Sequence, residues 1–186
     1  MPTIEVYTAN TGQKDRPRTD RTCFQNYNRF VAPVLNAKIY KVLPHLFFNV
    51  DYSIWVDANI DLLVPPGELI AMMKSDVMVF HHWERDCLFQ EAAACSECKQ
   101  DDPATIADQV AEYHRRGIKR NSGLAACGLI VRKHTPEVNQ MNAAWWSEIC
   151  RFSTRDQISF PVAFPTAQLV KQDPRGKVFK INDHLR

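Results

Sequence analysis

Hydrophobic and polar positions follow two different spacings along the chain, and their alternation predicts strands separated by helices. Short β-branched and aromatic runs predict strands at 3–9, 21–27, 52–56, 76–80, 127–132 and 177–181. Apolar residues at helical spacing predict helices within 28–48, 65–73, 86–98, 102–117, 135–152 and 154–164. This order indicates an α/β fold on a mostly parallel sheet flanked by helices, which we expect to form one domain over residues 1–186.

Prolines and polar residues predict where several helices begin and end. Pro33 and Pro44 interrupt the pattern of 28–48, so we expect two helical pieces or a kinked helix there. Asp102 and Thr135 stand where N-caps are expected, and Gly117 is expected to end the helix that Asp102 begins. Ser153 or Thr154 is expected to cap the helix within 154–164.

Polar side chains follow two of the predicted strands. The stretch YSIWVDANIDL, residues 52–62, ends its strand in Asp57, Asn59 and Asp61. The next strand is followed by His81, His82, Glu84 and Asp86. Ligands of open α/β sheets bind at the carboxyl ends of the strands, so both groups are candidates for a binding site.

The spacing of Asp57, Asn59 and Asp61 is compatible with a cation site. Alternate residues of an extended segment face the same side, and their oxygen atoms suit Mg²⁺ or Mn²⁺. Such ions are usually held by one or two carboxylates together with substrate phosphates. The alternative is a turn in which Asp and Asn bond their own backbone, and the spacing alone does not decide between the two.

Charge and composition narrow the class of partner only slightly. The chain has 23 Lys and Arg against 21 Asp and Glu, a formal net charge of +2 that does not argue for nucleic acid. Basic residues cluster at 14–21 and 113–120, where they form either solvated loops or phosphate contacts.

Targeting and metal-binding signals are weak. No apolar run approaches the roughly 20 residues that span a bilayer, and the first residues do not resemble a signal peptide. We therefore expect a cytoplasmic enzyme of bacterial, viral or phage type with reduced thiols, unless a membrane anchor has been removed. Cys87, Cys95 and Cys98 have a metal-like spacing, but no second close pair completes a zinc site.

Three segments are similar to a known family. KIYKVLPHLFFNVDYSIWVDANIDL, CLFQEAAAC and CGLIVRKHTPEVNQMNAAWWSEICRFSTRDQISF together resemble the glycosyltransferase-like family of unknown function 616, across roughly residues 35–165. That family is placed among enzymes of the GT-A fold, and its plant members are associated with mucilage polysaccharide. The opening VYTANTGQKD also resembles the first strand and loop of GT-A enzymes, where the nucleotide base is held.

The resemblance implies a donor site for a nucleotide diphosphate sugar. It makes Asp57, Ala58 and Asn59 the counterpart of the metal-binding DxD motif, with Asn in place of the last Asp, and suggests His184 as a further metal ligand. The residues that it implies for the base, ribose and diphosphate are Tyr7, Thr8, Ala9, Arg18, Arg21, Lys38 and Lys41.

The resemblance also implies an acceptor side. Asp156 is the first candidate for a general base or an acceptor-orienting carboxylate, followed by Asp86 and Glu84. The residues expected near the acceptor or the transferred sugar are His81, His82, Trp83, Arg155 and Gln157.

These inferences predict a metal-dependent glycosyltransferase that uses Mn²⁺ or Mg²⁺. It would move a sugar from a nucleotide diphosphate sugar, most simply a UDP-sugar, to a hydroxyl group of a glycan or another acceptor. Two alternatives remain at this point: a nucleotide-sugar-binding module with little activity, and a metal-dependent hydrolase. The sequence decides neither the sugar nor inversion against retention.

Overall fold

The computed structural model describes residues 2–184, and its centre is a six-stranded sheet. Its strands, in chain order, are β1 (Ile4–Ala9), β2 (Thr22–Phe24), β3 (Tyr52–Val56), β5 (Val77–His81), β6 (Ala125–Lys133) and β7 (Gln168–Val170). A separate two-stranded sheet pairs β4 (Ile60–Leu62) with β8 (Phe179–Ile181).

The strand order of the large sheet is β2-β1-β3-β6-β5-β7. Only β6 runs against its neighbours, because β3 and β5 both pair with it in antiparallel register whereas the other three pairings are parallel. The sheet is therefore mostly parallel, and the predicted fold class is confirmed. It also follows that β3 and β5 run in the same direction and end at the same edge of the sheet.

Within residues 2–184, six helices flank the sheet and follow the predicted pattern closely. They are α1 (Pro33–Val42), α2 (Pro66–Ala71), α3 (Leu88–Glu97), α4 (Pro103–Arg115), α5 (Pro136–Arg151) and α6 (Asp156–Ala163). Residues 28–48 do form two helical pieces, since a 3-10 turn at Pro44–Leu46 follows α1. Asp102 and Thr135 cap α4 and α5 by accepting hydrogen bonds from the backbone N–H groups of Thr105 and Val138, at 2.8 and 3.2 Å.

Three predictions about local structure were wrong or incomplete. Ser153 and Thr154 do not cap α6, because their side chains bond Gln109 and Asp101 instead. The strands β4 and β7 were not expected, and each has only three residues. The strand predicted at 177–181 is present as β8, but it pairs with β4 instead of joining the large sheet.

An irregularity in the sheet creates room beside β3. Val79 of β5 pairs with Ile130 of β6, whereas the next residue, Phe80, pairs with Ala126. Residues 127–129 are therefore extra on β6 and bulge away from β5, as strands often do next to a binding site. No helix within residues 2–184 is long and apolar enough to cross a membrane.

Candidate active site

A central cavity of about 500 Å³ opens at the carboxyl end of β3, beside the bulge of β6. Many of the residues singled out in the sequence line it together. These are Ala9, Lys38, Lys41, Asp57, Ala58, Asn59, His82, Trp83, Arg155, Asp156, Gln157 and His184. The cavity thus joins side chains from both ends of the chain at the carboxyl end of a strand, where ligands of open α/β sheets bind.

Asp57 is held in place at the wall of the central cavity. Its Oδ1 accepts hydrogen bonds from Trp55 Nε1 at 2.6 Å and from Lys41 Nζ at 3.1 Å. Its backbone N–H donates to the carbonyl of Gly128 across the sheet at 2.8 Å. Only Oδ2 of this carboxylate is left without a protein partner among the described residues.

A buried cluster of opposite charges lies next to Asp57. Lys41 Nζ is 2.6 Å and Lys38 Nζ 3.0 Å from the same oxygen, Oδ2 of Asp156. Lys38 and Lys41 reach one carboxylate because residues three apart share a face of α1. The side chains of Lys41 and Asp156 are only 7% and 9% exposed, so this is a buried ion pair.

The cluster keeps Asp156 ionised. Burial by itself would raise the pKa of this carboxyl, but Lys38, Lys41 and Arg155 outweigh it and hold the pKa far below its usual range. For Lys41, burial acts to lower the pKa, and the carboxylates of Asp156 and Asp57 reverse this and raise it. Burial dominates for Lys38 and lowers its pKa, because the one carboxylate that it contacts in the described part of the chain is shared with Lys41.

The acidic turn does not gather its three oxygen-bearing side chains at one point. The backbone N–H of Ile60 donates to the carbonyl of Asp57 at 2.9 Å, so the chain turns here and is not extended. Asp61 then lies on β4, where it bonds Arg18 Nη1 at 2.5 Å and Asn182 Nδ2 at 2.9 Å. The expected convergence of Asp57, Asn59 and Asp61 is therefore wrong for Asp61.

The C-terminal segment completes the site beside Asn59. Asn59 exchanges two hydrogen bonds with the backbone of Asn182, at 3.1 and 2.8 Å. This pairing brings His184 to the cavity, where its Nδ1 lies 2.7 Å from Asp15 Oδ1. A carboxylate only accepts, so the neutral form of this ring carries its proton on Nδ1 and presents a lone pair at Nε2.

These atoms are compatible with a divalent cation, although they do not surround one by themselves. Among residues 2–184, no group of three or more His, Cys, Asp or Glu side chains is close enough to hold a metal ion. The donors that remain are Asp57 Oδ2, the amide of Asn59 and His184 Nε2, the last oriented by Asp15 as metal-bound histidines usually are. A magnesium-type ion would take its other ligands from phosphate and water.

Two residues expected in a base pocket lie in the protein core instead. Tyr7 is completely buried, contacts Trp55 and Phe48 edge to face, and has its hydroxyl 3.3 Å from Arg132 Nη1. This burial raises the pKa of Tyr7 to about 12. Thr8 is completely buried too, and Ala9 alone of the three lines the central cavity.

The two arginines expected at the diphosphate are outside the central cavity. Arg18 pairs with Asp20 at 2.8 Å and with Asp61, and it lines a neighbouring cavity that also contains Asn59. Arg21 has a buried side chain that pairs with Asp20 at 2.7 Å. The basic residues of the central cavity itself are Lys38, Lys41 and Arg155.

Arg155 and Gln157 enter the central cavity from the start of α6. The Nε of Arg155 is buried and has no hydrogen-bond partner among the described residues. Gln157 donates from Nε2 to the carbonyl of Ala125 on β6 at 3.4 Å. Gln157 is thus positioned by the sheet edge, whereas the unpaired donor of Arg155 is a buried atom.

Glu84, Asp86 and His81 lie in a side cavity of about 400 Å³, defined by the loop that follows β5. None of the three lines the central cavity, so Glu84 and Asp86 do not share a wall with Asp57. His82 and Trp83 line both cavities. The Trp83 ring stacks on His82, with centroids 5.2 Å apart, and on the Arg175 guanidinium at 4.6 Å, so part of its aromatic surface is already covered.

Several residues that shape the central cavity were not predicted from the sequence. Trp55 and Asp15 hold Asp57 and His184, and Cys127 and Gly128 lie on the bulge of β6. A Cβ at Gly128 would be 2.9 Å from Ile60 Cδ1 and 3.4 Å from Asp57 Oδ2, so glycine leaves space for both. The glycine inside a strand was the one available signal, because such a residue often marks a bulge or a close approach.

Comparison with known proteins agrees with the glycosyltransferase-like resemblance. The model of the TOD1/MUCI70 glycosyltransferase-like domain matches residues 22–183. A probable hexosyltransferase of Arabidopsis thaliana, MUCI70, is 30% identical over 138 residues, which is 67% of this chain and 24% of that protein. The alkaline ceramidase TOD1 of the same plant is 31% identical over 147 residues, or 72% of this chain and 32% of that protein.

The chain thus spans about a quarter to a third of the length of these plant proteins. Among solved structures, the apo form of the bifunctional glycosyltransferase WbbM resembles it with a TM-score of 0.49 and 11% identity, over 91% of this chain and 39% of that one.

Proposed function

The chain belongs to the TOD1/MUCI70 glycosyltransferase-like domain family, and on this basis we propose that it transfers a sugar from a nucleotide diphosphate sugar to a hydroxyl acceptor. The observation that carries the proposal is the central cavity, where Asp57 and the Lys38–Lys41–Asp156 cluster lie side by side. A cation site next to fixed ammonium groups is what a diphosphate leaving group requires.

The donor diphosphate would lie between the lysines and Arg155. Lys38, Lys41 and Arg155 carry three positive charges, which balance the carboxylates of Asp15, Asp57 and Asp156 around the cavity, and a bound divalent cation would make an anion favoured there. Asp156 holds both ammonium groups in position before any ligand binds, which reduces the reorganisation needed during reaction. Its low pKa makes Asp156 a poor proton acceptor, so we assign it to positioning the lysines and not to general-base catalysis.

A Mn²⁺ or Mg²⁺ ion would be held by Asp57, Asn59 and His184. When bound, it would neutralise charge on the departing diphosphate. Asn59 is uncharged, so the protein ligands carry a single negative charge and we expect weak affinity for the ion without nucleotide. UDP is the nucleotide that we propose to test first.

The test is calorimetric titration of UDP, with GDP for comparison, in Mn²⁺ and in EDTA. Wild type is compared with Asp57→Ala and with Asp51→Ala, a matched control at the opposite end of β3 whose carboxylate bonds Thr3. We expect tight UDP binding that needs Mn²⁺ and Asp57 but not Asp51. No nucleotide binding under any condition would overturn the proposal.

A second candidate is hydrolysis of a lipid amide. One relative carries the name alkaline ceramidase, and two exposed apolar side chains, Val34 and Ile181, line the central cavity with 42% and 41% exposure. They could contact an alkyl chain. Release of fatty acid from a ceramide by wild type, without nucleotide binding, would favour this activity over sugar transfer.

A further inference from the structure

The side cavity contains a histidine–carboxylate pair that the donor site does not use. Nε2 of His81 lies 2.7 Å from Oδ1 of Asp86, and the two side chains are 22% and 58% exposed. The other charged groups that line this cavity are Glu84, Arg85, Lys171, Asp173 and Arg175. Glu84 is paired with Arg85 at 3.3 Å and Asp173 with Arg175 at 2.7 Å, and neither of these carboxylates forms an ion pair with His81.

The hydrogen bond to Asp86 determines which nitrogen of His81 is free. A carboxylate only accepts, so the neutral ring carries its proton on Nε2 and presents a lone pair at Nδ1. Nδ1 has no hydrogen-bond partner among the described residues. The imidazole is therefore oriented by a carboxylate at one nitrogen and able to accept a proton at the other, as in catalytic triads.

The adjacent His82 carries its proton on the same nitrogen as His81, but it is the other nitrogen, Nδ1, that is hydrogen-bonded. Its Nδ1 accepts hydrogen bonds from the backbone N–H groups of Glu84 and Arg85, both at 3.2 Å, so its proton lies on Nε2. His82 lines both cavities. Neighbouring residues thus provide a proton acceptor on the side cavity and a hydrogen-bond donor where the two cavities meet.

No carboxylate that lines the described part of the central cavity is available as a base. Asp15 is bonded to His184, Asp57 to Trp55 and Lys41, and Asp156 to both lysines. Each of these carboxylates already has hydrogen-bond or ion-pair partners, and the one free oxygen of Asp57 is assigned to the cation. A general base for the acceptor must therefore come from outside this set.

The strand order places His81 at a suitable position. Asp57 directly follows β3 and His81 ends β5, at the same edge of the sheet and with only β6 between these two strands. The central cavity at Asp57 and the side cavity at His81 share His82 and Trp83 as lining residues, so the two cavities adjoin. The leaving diphosphate at Asp57 and the acceptor at His81 would thus lie on either side of the transferred sugar.

We propose that the side cavity binds the acceptor and that His81 is its general base, with Asp86 as the positioning residue. This assignment rests on the proposed transferase function. The proton of the acceptor hydroxyl moves to His81 Nδ1 while the acceptor oxygen forms a bond to the anomeric carbon. The bond from that carbon to the diphosphate breaks, and the diphosphate leaves with the electron pair. Attack from the side opposite the leaving group inverts the anomeric configuration.

The tautomer can be tested without any substrate. The ¹⁵N NMR resonances of the His81 ring in the full chain are assigned as those that disappear in His81→Gln. At neutral pH they should show that the proton is on Nε2. Asp86→Asn should disturb this tautomer, whereas His114→Gln, at an exposed histidine that stacks on Phe89, should not. A proton on Nδ1 of wild-type His81 would overturn the proposal.

The catalytic role is tested by transfer from UDP-sugars to a panel of aryl glycoside acceptors. His81→Gln and Asp86→Asn should lower kcat by roughly 10²–10⁴-fold, the usual contribution of a general base, and should leave UDP affinity unchanged. The control His114→Gln should keep the kcat of the wild type. Azide needs no deprotonation, so it should restore turnover of His81→Gln and give a glycosyl azide of inverted configuration.

The outcomes separate the two proposals. The role of His81 would be overturned if His81→Gln bound UDP normally and kept the kcat of wild type. It would also be overturned if kcat fell and azide did not restore it. Either result would leave the transferase proposal standing. Absence of UDP binding in wild type would instead overturn the transferase function, and the role of His81 with it.

Discussion

The buried ion-pair cluster predicts a large effect of one isosteric substitution. Asp156→Asn keeps the size of the side chain but removes the charge that Lys38 and Lys41 share at 3.0 and 2.6 Å. Lys41 would keep its ion pair with Asp57, whereas Lys38 would lose the carboxylate that it pairs with. Loss of one partner of a buried pair costs about 3–5 kcal/mol, because the remaining charge stays desolvated.

Urea unfolding measures this cost. For an m-value of about 2 kcal/mol/M, the unfolding midpoint should fall by about 1.5–2.5 M with m unchanged. The matched control is Asp173→Asn, which breaks an ion pair of nearly the same length, 2.7 Å to Arg175, between side chains that are 48% and 46% exposed. Because water screens an exposed pair, the control should shift the midpoint far less. Equal shifts in the two variants would refute the argument from burial.

The same pair predicts how acid acts on stability. The pKa of Asp156 is lower in the folded protein than the value of about 3.9 expected when it is unfolded. Its carboxylate therefore stabilises the fold fully above pH 4, and this contribution is lost progressively as the pH falls below that value. The difference in unfolding free energy between wild type and Asp156→Asn should stay constant from pH 7 to 5 and shrink below pH 4. A difference that disappears already between pH 7 and 5 would contradict this assignment.

Three further predictions concern other parts of the molecule. Gly128→Ala should weaken Mn²⁺-dependent UDP binding at least about tenfold, because the new Cβ would lie 2.9 Å from Ile60 Cδ1 and 3.4 Å from Asp57 Oδ2. Calorimetry measures this, and unchanged binding would show that the site tolerates the methyl group. Asn182→Ala removes the 2.9 Å hydrogen bond to Asp61 and should cost about 1 kcal/mol, with faster hydrogen exchange at Ile60–Leu62 as the measured result and unchanged exchange as the contradiction. Burial lowers the pKa of His134 to about 4 from an unfolded value of 6.5, so this residue makes the fold less stable as the pH falls through that range. In urea unfolding, His134→Gln should therefore lose less stability than wild type between pH 6.5 and 5. An identical loss in the two proteins would refute this role of His134.

Much of the fold could be predicted because the pattern of each element is local. The run YSIWV is apolar and β-branched, and it is a strand buried at the centre of the sheet. Asp102 and Thr135 acted as helix caps because a cap depends on residues only three positions away. The strands β4 and β7 escaped prediction because three residues are too few to show alternation.

The membership of the central cavity was predicted in part for a similar reason. Asp57 and His82 follow strands that end at the same edge of the sheet, so a rule about strand ends was enough to find them. Tyr7 and Thr8 also end a strand, but they are covered by neighbouring elements, and no local pattern distinguishes a covered strand end from an open one.

Local patterns in the sequence were enough to predict most strands and helices, and to predict which segments carry oxygen, nitrogen and ammonium groups to the sheet edge. The tertiary structure alone decided the partners of those groups: Lys38 and Lys41 with Asp156, His81 with Asp86, and His184 with Asp15, which lies 169 positions away in the chain. The physical reason is that a propensity or a cap involves a few neighbouring residues, whereas burial, ion pairing and the free nitrogen of a histidine depend on which distant elements pack together.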